Sequence, residues 1–361
     1  MAYPIVTGTI LIEANGAALN MAGQEEGGRT GNVIVVKQIR VGRNRYPYIS
    51  GQAWRRWLRE VLYQDYGWKR SPVIRERKSA YTEGDPIQYE EDDLFGYMAA
   101  KKRGEQGGTQ RRISPLKNSL LISVIPNAIV EDFGHFSRNL QPGEDIIPFE
   151  HQHYTSLLQG TFTISLQDVG RFEVGEMRDL SEEMMERYKD KIGQGEDGFY
   201  LLSQDERARR AKEVLRALAR LRYGAQLARN LSDVSPVAVI IGFLDGGNAP
   251  FQNLFRPTPE GERVELNIER FTSVIQDYMD RFLERKLNGR GPEKFPILMG
   301  WRPTVLANEE AVGEALDQEP LKDVIRWKED DGSILTPREV LERAAGLVEE
   351  AFAGLMKPER P

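Results

Sequence analysis

Seven successive residues from Val237 to Phe243 carry no charged or hydroxyl side chain, and so short a run reads as a strand covered on both faces. Its counterpart near the other end is Ile5 to Ala14, where Val6, Gly8, Ile10 and Ile12 alternate with Thr7, Thr9, Leu11 and Glu13. That pattern is partly period two with apolar residues on both sides, again the mark of a covered sheet. A loop from Asn15 to Gly31 leads to a β-branched run, Val33 to Val41, and a turn around Gly42, Arg43, Asn44 and Arg45. The clearest helix is Ser50 to Asp65, with Trp54, Trp57, Leu58, Val61 and Leu62 forming an apolar stripe. Leu116 to Ile125 and Gln159 to Leu166 read as strands flanking a long polar excursion. A second helix, from about Asp205 to Asn230, runs directly into the covered strand, with Val214, Leu215, Leu218, Leu221 and Ala225 on its apolar side. The order strand, helix, several strands, helix, strand predicts an α+β fold: a ferredoxin-like (RRM-like) core carrying long insertions. Further helices are expected from Ile268 to Lys286 and from Thr336 to Leu355.

The net charge of −6 is a poor guide, because the charge is segregated. Arg29 to Lys78 holds thirteen Lys/Arg against Glu60, Asp65 and Glu76, a local net of +10. Ser79 to Met98 holds six acids and no base, and Lys101 to Lys117 has six bases against Glu105. One basic face suffices to bind phosphates whatever the total charge. A charged, solvated surface would give the same counts. The chain has no cysteine, which excludes disulfides, thiolate metal sites and cysteine nucleophiles. Met1-Ala2-Tyr3-Pro4 lacks a signal-peptide pattern and no apolar stretch is long enough to span a bilayer, so a soluble cytoplasmic protein without a membrane partner is expected.

The segment Tyr48 to Arg59 is the most informative. Ser50 reads as an N-cap, so the helix start offers free backbone amides and the positive end of a dipole. Arg55, Arg56 and Arg59 lie off the apolar stripe and add bidentate phosphate donors. An ordinary amphipathic helix with a basic outer face has the same pattern.

Ile49-Ser50-Gly51-Gln52-Ala53-Trp54-Arg55-Arg56-Trp57-Leu58-Arg59 resembles the isoleucine-serine-x-glutamine-aromatic-arginine helix of CRISPR backbone subunits. Ala18 to Gly23, Gly28-Arg29-Thr30 and Val36 to Arg40 are similar to the DevR-type branch. So are Ala80 to Ile87, Asp92 to Met98, Arg112 to Lys117, Val130 to Gly134 and Glu150 to Tyr154. The chain thus resembles the DevR-type "Cas-seven" proteins of type I-B Cascade, within the RAMP superfamily, strongly over its first half and thinly after about residue 250.

The resemblance implies a hand-shaped protein. Its RRM-like palm would occupy about 1–60, 112–130, 155–175 and 205–245, with inserted helical fingers and web loop at about 66–111. A β-hairpin thumb would lie at about 132–153, and a C-terminal helical extension at about 260–361. It implies a non-catalytic subunit that oligomerises along a CRISPR guide RNA (crRNA), with no cofactor and no metal, and presents the guide to a target DNA strand. The implied partners are crRNA, further copies of the chain, and the Cas-five, Cas-eight, Cas-six and small subunits. An effector nuclease-helicase or transposition proteins could join them. Carried over by motif, Ser50, Gln52, Arg55, Arg56 and Arg59 would contact guide phosphates, with Asn20, Arg29, Lys37, Arg112 and Lys117 as further contacts. In the thumb, Phe133, Phe136 and Arg138 would meet an unstacked nucleotide step. A small satellite core at the hairpin base is the alternative for the two phenylalanines.

Other features compete. His151 and His153, with Glu150 nearby, would share a strand face but supply only two good metal ligands. Glu90, Glu91, Asp92 and Asp93 read as a solvated turn or a helix cap. Arg216, Arg220, Arg222 and Arg229 read as a solvated outer face. Related type III backbone subunits cut RNA with a thumb aspartate, and Asp132 and Asp145 fall in the matching region, so a metal-dependent RNA endonuclease is the alternative function. A DNA-binding regulator would need a helix-turn-helix with a basic recognition helix, and no such pattern is present.

Overall fold

The computed structural model describes residues 3–25, 33–76, 79–99, 109–195, 197–286 and 292–355. The chain opens with β1 (Pro4–Ala17), whose side chains are buried on both faces, as its mixed apolar pattern requires. β2 (Met21–Glu25) pairs with β3 (Val33–Val36), and a hairpin follows, β4 (Gln38–Val41) with β5 (Asn44–Ile49). Helix α1 (Gly51–Tyr66) starts at Ser50 and stops at Gly67, whose φ of 70° is the left-handed C-cap that glycine adopts without strain. Trp54, Trp57, Leu58, Val61 and Leu62 are all buried.

Two small hairpins come next, β6 (Val73–Glu76) with β7 (Ser79–Thr82) and β8 (Tyr97–Ala99) with β9 (Gln110–Arg112), and α2 (Glu90–Phe95) lies between them. The expected strand Leu116 to Ile125 is split into β10 (Leu116–Asn118) and β11 (Leu121–Ser123). The polar excursion is a projecting hairpin of β12 (Ile129–Phe136) against the first half of β13 (Ile147–Ser165). A satellite unit joins β14 (Arg171–Phe172), α3 (Glu182–Arg187), β15 (Gly193–Gln194) and β16 (Tyr200–Leu201). Then come α4 (Gln204–Leu218) and β17 (Pro236–Asp245).

The helix expected to continue to Asn230 ends at Leu218 instead. Tyr223, Gly224 and Gln226 take positive φ, and the Ala225 amide donates to Leu19 O at 3.0 Å, so the chain after 218 becomes a clamp on the Leu19–Asn20 loop. The segment beyond 260, expected to be helical, is mixed. It holds α5 (Ile268–Asp277), α6 (Glu309–Leu316) and α7 (Pro337–Leu355). It also pairs β18 (Phe255–Pro257) with β19 (Val264–Leu266) and β20 (Glu284–Lys286) with β21 (Pro292–Lys294). β22 (Ile297–Trp301) and β23 (Ile325–Arg326) extend the main sheet beyond β17.

The sheet runs β23-β22-β17-β1-β13-β11-β5-β4, and neighbours from β22 through β4 are antiparallel. One face carries Val6, Ile10, Leu158, Phe162 and Val239 under α1, α4 and α7. The other carries Ile5, Leu11, Ile240, Leu244 and Trp301 under Phe251, Phe271 and Ile275, which come from the segment after β17. Both faces are therefore closed, and any large ligand must use the rim, the loops or the hairpins. No helix among the described residues is long and apolar enough to cross a membrane.

Candidate nucleic-acid interface

At the mouth of α1 three residues distant in sequence converge. Ser50 Oγ accepts from the Ala53 amide at 3.3 Å, and the Ser50 amide donates to Asn20 Oδ1 at 2.9 Å. The backbone oxygen of Asn20 in turn accepts from the Lys37 amide at 2.9 Å. The amides of Gly51 and Gln52 have no intrahelical acceptor at this position, and among the described residues they meet no other, so the helix presents donors at its positive end. Gln52 and Arg56 are exposed one helical turn apart, on one face. Asn118 closes the floor, donating from Nδ2 to Gly51 O at 3.2 Å. Lys117 is exposed, but strand alternation turns it to the sheet face away from α1. Among the described residues the side chains of Lys37, Arg56 and Lys117 have no carboxylate partner.

Arg55, Arg59 and Arg112 are placed differently. Arg55 Nη1 donates to Leu116 O at 2.7 Å and Asn118 Oδ1 at 3.0 Å, while Nη2 donates to Phe95 O at 2.8 Å and Ser114 Oγ at 3.0 Å. The guanidinium therefore staples α1 to β10 and to the end of α2. Burial, then the nearby Arg59 charge, lowers its pKa to about 10. Arg59 lies over the Phe95 ring at 4.3 Å and 3.4 Å from Glu91. Arg112 is inside the protein, donating to Asp93 and to the carbonyls of Asp168 (2.8 Å) and Arg171 (3.1 Å). Burial opposes its charge, and the carboxylates of Asp93 and Asp179 outweigh burial and hold its pKa up. Arg210 shares Asp93, donating to Oδ2 at 2.8 Å and to Pro86 O at 2.7 Å.

The acidic run 90–93, read as a solvated turn or a helix cap, forms the first turn of α2, and Glu91, Asp92 and Asp93 are buried there. Asp93 lies between Arg112 and Arg210, and Glu91 beside Arg59 and the Ser71 amide. Asp92 accepts from Ser71 Oγ at 2.7 Å and from the amides of Gly84 and Asp85. The outer face expected around α4 is also paired, with Arg222 forked onto Asp65 and Arg216 on Glu342 at 2.9 Å. Arg55 and Arg112 have their donors engaged within the fold. Arg29 lies outside the described residues.

The β4–β5 hairpin supplies what the candidate residues left out. Arg40, Arg43 and Arg45 are exposed, and Arg40 stands directly opposite Arg45 across the two strands. Gly42, at φ 60°, makes the two-residue turn. Asn127 braces the hairpin from the base of β12: its Oδ1 accepts the Arg45 amide at 2.9 Å and its own amide donates to Arg45 O at 2.7 Å. Among the described residues no carboxylate pairs with these three arginines. The signal was in the sequence, as three arginines around a Gly-Arg turn within six residues, but it was submerged in the larger basic run.

On the projecting hairpin Phe133 is 61% exposed, with Val130 and Ile147 also exposed, and Arg138 stands in the connecting turn. Phe136 ends β12; its side chain lies outside the described residues. At the base, Phe149 meets His151 edge-on at 4.7 Å, and Arg229 Nη1 lies 3.1 Å from His151 Nε2. Burial first, then the Arg229 charge, lowers the His151 pKa, and Asp132 across the hairpin partly offsets them. Among the described residues no group of three or more His, Asp or Glu could hold a metal ion.

The family model for the CRISPR-associated negative auto-regulator DevR/Csa2 matches residues 6–257. A chain of a CRISPR RNA-guided surveillance complex is similar at 12% identity and a TM-score of 0.40, covering 66% of this chain and 68% of that one. A second, from a pre-nicking surveillance complex, shows 11% identity and a TM-score of 0.39, covering 66% and 77%. No curated protein sequence matches.

Proposed function

The chain belongs to the DevR/Csa2 family of CRISPR-associated proteins, and from that premise we propose that it is a non-catalytic backbone subunit holding the guide RNA of a Cascade surveillance complex. The observation that carries the reading is the α1 mouth. The amides of Gly51 and Gln52, Gln52 itself and an exposed Arg56 without a carboxylate partner among the described residues sit together on a framework fixed by Ser50, Asn20 and Lys37. Such a site suits a phosphate, with the guanidinium adding forked donors. It reads backbone and not base, which leaves the guide's bases to select the target.

The rest of the hand fits around this site. The four strands β17, β1, β13 and β11, in that order and antiparallel, with α1 and α4 on one face, support an RRM-like palm. Because the opposite face is closed, the palm holds RNA at its rim rather than across the sheet. The β12–β13 hairpin is the thumb, with Phe133 and Phe136 meeting a neighbour's nucleotide step and Arg138 a nearby phosphate. Copies stack along the guide, alongside the other Cascade subunits and in reach of the target DNA strand. Arg55 and Arg112 act in this reading as frame, and the thumb carries no chemistry.

The test is the nucleic acid that co-purifies with the full chain. RNA in regular length steps is expected, with a marked loss in Q52A/R56A and none in K117A. Wild-type protein free of RNA would refute the reading. Cuts at regular intervals in complementary RNA, on incubation with magnesium, would replace it with an endonuclease acting from the thumb.

A further inference from the structure

We infer that the β4–β5 hairpin is a second contact for the RNA sugar-phosphate backbone, and that it forms one rigid rim with the α1 mouth along which a single strand lies. The inference rests on the RNA-binding reading and adds a site to it. Two like charges directly opposite each other in a hairpin are destabilising. Here Arg40 faces Arg45 with Arg43 at the turn beside them, all exposed, and no described carboxylate neutralises them. An isolated hairpin built this way works against its own stability, and a polyanion laid across it removes the conflict. A phosphate backbone fits, because its charges repeat and each accepts two parallel guanidinium bonds.

The hairpin is also held in fixed relation to the α1 mouth. Its inner end is pinned where the Tyr48 amide donates to Lys37 O at 2.9 Å, and the Lys37 amide itself reaches Asn20, which holds Ser50. Its outer end is clasped by Asn127, held at φ 58° where the chain turns towards β12. From Arg45 to Ser50 the strand spans about 16 Å, at ~3.3 Å per residue. The rim therefore leads from the helix start, past Lys37, to three arginines at the root of the projecting hairpin.

The experiment measures binding of the full-length chain to a single-stranded uridine 30-mer across a salt series, for wild type, R40A/R43A/R45A and Q52A/R56A. Losing three phosphate contacts should flatten the slope of log K against log salt by about 2 and weaken binding tenfold or more at low salt. Without RNA the hairpin variant should melt at the same temperature as wild type or slightly above, since a repulsion has gone; a clearly lower melting temperature would mean a structural role and overturn the inference. A hairpin variant with wild-type affinity and slope, beside a weakened Q52A/R56A, would overturn the hairpin site alone. Wild type that fails to bind the oligomer would overturn the RNA reading itself. A variant that loses RNA-free self-association in sedimentation, its salt slope unchanged, would assign the arginines to an acidic face of a second copy and overturn the site. A single-stranded deoxyuridine 30-mer bound with equal loss in the variant keeps the site and shows that it reads phosphate without regard to the sugar.

Discussion

Two sets of arginines stand in opposite situations. At the junction of α1, α2 and α4, Arg112 and Arg210 are buried and Arg55 is half-buried, and nearly every donor has a protein acceptor. On the rim, Arg40, Arg43, Arg45 and Arg56 are exposed, and among the described residues none meets a carboxylate. A buried cation must be matched where it sits, because desolvation outweighs any distant charge. An exposed one need not be matched by the protein, and four left unmatched in a small region point outward, to an anion. The residue type is the same; the acceptors make the difference.

The comparison breaks most easily at Asp93. Its two oxygens serve Arg112 and Arg210, whose side chains are 2% exposed, and they also accept from the Gly170 amide at 3.0 Å. Asp93→Ala would leave two buried cations short of a counter-charge, a loss of about 3–5 kcal/mol in unfolding free energy. Chemical denaturation should show the unfolding midpoint shifted well down by a loss of that size. A change below ~1 kcal/mol would mean that water reaches the junction and the division between the two sets is false.

A gentler test uses adjacent positions. Arg55→Ala removes the staple between α1, β10 and α2 and should cost about 2–3 kcal/mol, with Arg55→Lys recovering little because lysine lacks the fork. Arg56→Ala should change stability by less than ~0.5 kcal/mol while lowering RNA retention. Equal melting temperatures for the two alanine variants would sink the distinction. Smaller again, Ser50→Ala deletes one cap bond and should cost ~1 kcal/mol, leaving the Ser50 amide on Asn20 in place. If RNA retention falls with it by no more than the stability does, the cap acts as frame only.

How far the sequence foretells these outcomes depends on the range of the interactions. The α1 start was legible because a cap and an apolar stripe are local, and the helix runs from Gly51 to Tyr66 as its periodicity predicts. The fate of each arginine was not legible. Arg55 finds Leu116 O at a separation of 61 residues, and Asp93 finds Arg210 at 117, so no window along the chain contains both partners. The same holds for the acidic run: four carboxylates in a row look solvated until α4 and β9 are folded against them. The α4 boundary failed for a local reason, since the apolar pattern continues to Ala225 while Tyr223 and Gly224 leave helical geometry to grip Leu19. The rim hairpin was foreseeable as a turn, yet its meaning needed the register that sets Arg40 against Arg45.

Arg229 belongs to neither set, and that makes it the finest probe of the comparison. Its acceptor is His151 Nε2 at 3.1 Å, a neutral imidazole that protonation would turn from partner to rival. Burial and the Arg229 charge lower the His151 pKa, against the weaker pull of Asp132. The unfolded chain therefore binds this proton first. The contribution of the pair is whole above about pH 6.5, the ordinary histidine value, and is lost as pH falls through it towards the lower folded value. Asp92, whose pKa burial raises, works in the opposite direction, but it is common to both proteins in a comparison of wild type with H151Q. Between pH 7.5 and 5.5 the wild-type melting temperature should fall further than that of H151Q, by a degree or two at this half-exposed site. Parallel pH profiles would show that Arg229 is as indifferent to its acceptor as the rim arginines are, and would move it into their class.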